Sequence, residues 1–65
     1  MKKNKFLKHL KDNSCVATGR QKGSHAQFKN LVSGKKTIVP LHDNIDDMLC
    51  KAICKQLGIP APLSK

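Results

Sequence analysis

The stretch Lys22-Gly23-Ser24-His25 gathers the side chains of this sequence best suited to chemistry. Histidine changes charge nearest neutral pH, so His25 is the natural group to accept or deliver a proton. Arg20 and Lys22 bring positive charge within a few residues of it, where they could hold a phosphate. Gly23 lets backbone approach a phosphate closely. The Ser24 hydroxyl can hydrogen-bond a phosphate oxygen or orient the imidazole. RNA is a substrate that such a set could cleave, because it carries its own nucleophile, the 2′-hydroxyl. The reaction needs a base for that proton, an acid for the leaving 5′-oxygen, and positive charge beside the phosphorane-like transition state. This route calls for no metal and no cofactor. Read locally, the signal is weak: Gly-Ser-His arises by chance, and an exposed histidine is commonly inert.

Two further histidines and a cysteine pair carry weaker signals. His42 could contact RNA or serve as a second proton-transfer group, but a turn histidine bonded to local backbone is the commoner outcome. His9 falls among lysines and reads as surface. Cys50 and Cys54 stand four apart, a spacing that could hold two metal ligands. A zinc site would need two more, so thiols packed as small apolar groups are the simpler expectation.

The elements that position these residues follow from periodicity. Phe6, Leu7 and Leu10 recur at helical spacing, predicting a helix over 4–13 with Asn4 as its N-cap and Asp12-Asn13-Ser14 as its end. Cys15 to Thr18 reads as a short strand, and Gly19 as a bulge or an irregular end. The polar run 20–25 reads as a turn. A second strand from about His25 to Leu31 places Ala26 and Phe28 on one face. His25, Gln27 and Lys29 then share the other, open face. Ser33-Gly34-Lys35 signals a hairpin, and Thr37 to Leu41 a third strand that, because Pro40 cannot donate to a ladder, lies at an edge or ends there. Asp43 or Asn44 is expected to cap a second helix, with Asp46 and Asp47 at its positive end. Gly58 stops that helix. The order is α-β-β-β-α, an α+β fold. It is one domain over 1–65, with a three-stranded antiparallel sheet, two helices on one face, and 61–65 as a flexible tail.

Size and charge narrow the partners. A chain of 65 residues buries a thin core and leaves little room for a deep pocket, which favours a polymeric substrate over a small-molecule ligand. The net charge is +9, and all of it arises in residues 1–36, where ten basic residues face Asp12 alone. Such a one-sided field attracts polyanions, RNA first among them. Lys8 and Lys11, on the polar side of the first helix, join Arg20, Lys22, Ser24 and Lys29 as expected RNA contacts. Phe6 and Phe28 are the only aromatics, too few for base-stacking platforms. With three cysteines, no secretory signal and no membrane-length apolar segment, the expectation is a cytoplasmic protein with free thiols and no membrane partner.

Three segments, GRQKGSHAQF at 19–28, TIVPLHDNI at 37–45 and ICKQLGI at 53–59, together resemble the HicA family of toxins from bacterial toxin–antitoxin systems. The resemblance runs from about Phe6 to Ile59, and Gly-Ser-His followed at the right distance by Val-Pro-x-His is its specific part. At the start of the closing helix, Asp47-Met48-Leu49-Cys50 replaces the family's more usual Gly-Thr-Leu-Arg-like run. The resemblance implies a fold like a double-stranded-RNA-binding domain. It implies ribosome-independent cleavage of mRNA by a type II system toxin with His25 as catalytic residue. It also implies a HicB-like antitoxin partner that covers this histidine. Two other readings fit the charge pattern: a non-catalytic RNA-binding module of double-stranded-RNA-binding type, and a small interaction domain for an acidic protein.

Overall fold

Phe6 and Leu10, one turn apart on the first helix, lose all contact with solvent. Their helix, α1 (Lys3–Asp12), therefore lies across the core with its lysines outward. The computed structural model describes residues 1–62. Lys2, not Asn4, occupies the N-cap, and it makes no side-chain cap bond. The reason is a partner distant in sequence. Residues 1–3 pair with 43–45: the Lys3 amide donates to the Asp43 carbonyl at 3.0 Å and the Ile45 amide to the Met1 carbonyl at 2.7 Å. Backbone thus supplies an acceptor for the first amide of α1, and with the helix starting at Lys3, Asn4 lies inside it.

The same pairing delays the second helix. Helix α2 (Asp47–Leu57) starts with Asp46 as N-cap, again without a side-chain bond, so neither Asp43 nor Asn44 caps it. Asn44 is instead held extended in a bridge with Lys2. Asp47 does occupy the first turn, where the Met1 amine approaches it to 3.2 Å. Gly58 ends the helix as expected, in a left-handed conformation, with the Ile59 amide donating to the Cys54 carbonyl at 2.9 Å.

Three strands, β1 (Cys15–Lys22), β2 (His25–Asn30) and β3 (Lys36–Pro40), form an antiparallel sheet in the order β1-β2-β3. The element order is α-β-β-β-α, and both helices contribute to the one core on the inner face of the sheet. This open α+β arrangement agrees with the double-stranded-RNA-binding-domain-like expectation. Alternation on β2 holds as read: Ala26 and Phe28 are buried, whereas His25 is exposed and Gln27 and Lys29 are half-exposed. β1 departs from expectation. It does not end near Gly19 but runs on to Lys22, so Arg20 and Lys22 belong to a strand, and the turn is only Gly23-Ser24. The ladder slips between Ala17 and Gln21, where Gly19 sits at φ 92°. That positive φ absorbs the bulge and lets pairing resume beyond it.

Asn30 is the buried polar residue that the hydrophobic pattern did not flag. It is 4% exposed, and its Nδ2 donates to the Leu57 carbonyl at 2.8 Å. Its Oδ1 accepts from the Val32 amide at 2.9 Å. One side chain thus fastens the β2–β3 turn and satisfies a carbonyl at the end of α2 that no helical bond reaches. Cys15, Cys50 and Cys54 are buried free thiols within the core. Burial pushes all three thiols up, and it takes Cys54, with Cys50 and Cys15 nearby, to about 11. Like-packed and protonated, they act as small apolar groups. His9, expected at the surface, donates from Nε2 to the Pro60 carbonyl at 2.8 Å and so ties the chain after α2 to α1. The rest of the expected flexible tail, 63–65, lies outside the described residues.

Candidate active site

The bulge and the two-residue turn together build a groove at one end of the sheet. Gly23 at φ 60° takes the first central position of the turn, where a type II′ hairpin needs a positive φ. Lys22 and His25 flank it as directly paired residues. Paired residues project to the same face, with Cβ atoms roughly 5 Å apart. Arg20, Lys22, Gly23, Ser24 and His25 line an open groove, together with Gln27 and Ile38 on its sheet side. Arg20 stands two residues before Lys22 on β1, and both line the groove.

Local hydrogen bonds fix this end. Gln21 Nε2 donates to the Gly23 carbonyl at 3.2 Å, and Thr18 Oγ1 donates to Gln27 Oε1 at 2.9 Å. The Leu41 amide donates to the Ser24 carbonyl at 2.6 Å, joining the end of β3 to the turn. His25 also faces Pro40 across the β2–β3 ladder. Beyond Pro40 the chain brings a second imidazole alongside. The His42 ring centroid lies 6.1 Å from that of His25, with the planes at 71°.

The remaining expected contacts are not brought together with His25. Lys29 shares its face but lies four residues along β2, roughly 13 Å away. It stands opposite Lys36 on β3 instead. Lys8 and Lys11 are on α1, which packs on the other face of the sheet, and Lys8 pairs with Asp12 at 3.1 Å. Sequence reasoning had Gln27 on the right face but gave it no part in the groove, and it missed Ile38. The signal for both was available: Ile38 follows from Gln27 once the β2–β3 register is known.

Fold and groove define a small, basic α+β domain whose open sheet face carries a solvent-exposed histidine among cationic side chains. A family model described as the HicA toxin of bacterial toxin–antitoxin systems matches residues 4–59, and the chain belongs to that family. It is thus a toxin of the toxin–antitoxin class. Comparison with curated proteins and with solved structures gave no match. Among the described residues, no helix is long and apolar enough to cross a membrane.

Proposed function

We propose that this toxin is an endoribonuclease that cleaves mRNA without the ribosome and without a metal, with His25 as a proton-transferring catalytic residue. The observation that carries the reading is the exposure of His25 at a groove that also holds Arg20 and Lys22. The 2′-hydroxyl of the RNA attacks the adjacent phosphorus, and the imidazole exchanges a proton with one of the two oxygens involved. Arg20 and Lys22 neutralise charge on the phosphoryl oxygens. The Ser24 hydroxyl bonds the phosphate or steadies the ring. Lys29 holds the strand farther along the open face. Lys8 and Lys11, on the far side, add to the attractive field without touching the cleaved phosphate. A HicB-like antitoxin that covers His25 and meets the basic face would hold the toxin inactive.

The test is cleavage of end-labelled RNA by purified wild-type protein and by His25→Ala, with and without a chelator. General acid–base catalysis of this kind contributes about 10²–10⁴-fold, so the variant should lose at least that much while keeping its fold. Products should end in a 2′,3′-cyclic phosphate. Undiminished cleavage by a folded His25→Ala protein would remove His25 from the reaction. Full loss of wild-type activity in chelator would point to a metal nuclease.

A further inference from the structure

We infer that His42 is a second catalytic residue and that His25 and His42 work as one pair, one ring taking the 2′-proton while the other protonates the 5′-oxygen. The inference rests on the nuclease reading and goes beyond it in assigning both proton transfers. In an in-line displacement the attacking and leaving oxygens lie on opposite sides of phosphorus. A single imidazole placed to reach one of them is badly placed to reach the other at the same moment. Two groups are needed, each within about 2.6–3.2 Å of its own oxygen. The centroid separation of 6.1 Å leaves room for a phosphate to be approached by one ring on each side. An arginine never releases its proton, so Arg20 can stabilise charge but cannot be the acid.

The fold spends specific contacts on this juxtaposition. His42 is 17 residues from His25 in sequence and belongs to neither β2 nor β3. The His25–Pro40 pairing and the 2.6 Å bond from the Leu41 amide to the Ser24 carbonyl bring it there. Both histidines are exposed, so a polymer can reach them. The step balances without an outside reagent. One neutral ring takes the 2′-hydroxyl proton as the O2′–P bond forms. The P–O5′ bond breaks, and O5′ takes a proton from the other, protonated ring. The products are a 2′,3′-cyclic phosphate and a 5′-hydroxyl, and the two rings have exchanged protonation states. Solvent exchange restores them, and no water is consumed in the step.

A leaving group that needs no acid tests the pairing. An oligoribonucleotide is made with either 5′-oxygen or 5′-sulfur at the linkage that the wild type cuts; a thiolate departs unprotonated. On ordinary RNA, His42→Ala and His25→Ala should each slow cleavage by about 10²–10⁴-fold. On the sulfur substrate, one variant should recover to within roughly tenfold of wild type and the other should not, which names the acid and the base. His42→Asn, which can hydrogen-bond but not transfer a proton, should behave as His42→Ala. RNA binding measured by anisotropy should change little in either His42 variant. Cleavage of ordinary RNA by His42→Ala at near wild-type rate would overturn the inference and leave the role of His25 standing. So would failure of the sulfur substrate to rescue either variant. A wild type that cleaves no RNA would overturn the nuclease reading and this inference with it.

Discussion

Replacing Asn30 with alanine should damage the fold far more than any change in the groove. The Leu57 carbonyl would lose its buried donor, and an unpaired buried acceptor costs about 1–3 kcal/mol. The Val32 amide would lose a part-buried bond with a net contribution of about 0.5–1.5 kcal/mol. The expected loss is therefore about 2–4 kcal/mol. A domain of this size has about 3–10 kcal/mol in total at typical stability per residue. At about 4–8 °C per kcal/mol, Tm should fall by roughly 10–30 °C. Urea denaturation followed by circular dichroism would read the change as a lower midpoint with an unchanged slope. Asn30→Asp separates the two contributions, since it keeps acceptors for Val32 and Ser33 but offers no donor to Leu57 at neutral pH. It should be at least as unstable as the alanine variant, because a carboxylate then faces a carbonyl. Asn30 lies five residues from His25 along β2, roughly 17 Å away, so cleavage per folded molecule should stay near wild type. An Asn30→Ala protein within about 0.5 kcal/mol of wild type would refute the buried-acceptor argument.

Two further predictions concern charge. Lys29 and Lys36 are paired directly across β2 and β3, and like charges so placed are destabilising. Lys36→Gln should raise stability by about 0.2–1 kcal/mol in urea and weaken RNA binding. If Lys36 contacts a phosphate, the slope of log affinity against log salt should flatten by about one; an unchanged slope would show that it contacts none. Burial raises the folded-state Cys54 thiol from an ordinary 9.0 to about 11. The folded protein thus keeps a proton that the unfolded chain gives up, so this contribution is intact below 9.0 and is lost as pH climbs towards about 11. The urea midpoint should fall over that window, and less steeply in Cys54→Ala. Identical alkaline limbs would place the titration elsewhere.

The open face of β2 was legible because alternation has a strict period of two and Phe28 demanded burial. Helix α2 was legible as a helix from the spacing of Ile45, Met48, Leu49, Ala52, Ile53 and Leu57, with Gly58 as a stop, but its buried stripe is Cys50, Ile53, Cys54 and Leu57; Met48 and Leu49 are exposed, and Ile45 lies in the core just before the helix. The extent of β1 was not. A polar run containing Gly19 and Gly23 reads as a turn when the neighbouring strand is unknown, and only pairing with β2 shows that Arg20 to Lys22 continue the ladder. Both helix N-termini were misplaced for one reason: the acceptors and donors there come from backbone some forty residues away.

The residue types, their local periods and the concentration of positive charge in the first 36 residues are properties of the chain itself. They set the α-β-β-β-α order, the burial of Phe6, Leu10 and Phe28, and the presence of a histidine among cations on an open surface. The tertiary structure decided which distant groups meet. It extended β1 so that Arg20 and Lys22 line one groove with His25, set Lys29 and Lys8 apart from His25, made Asn30 a buried link between sheet and helix, and laid His42 beside His25. Periodicity reports on neighbours along the chain, whereas register and turn geometry fix neighbours across it, and one residue of slip exchanges the faces of a strand.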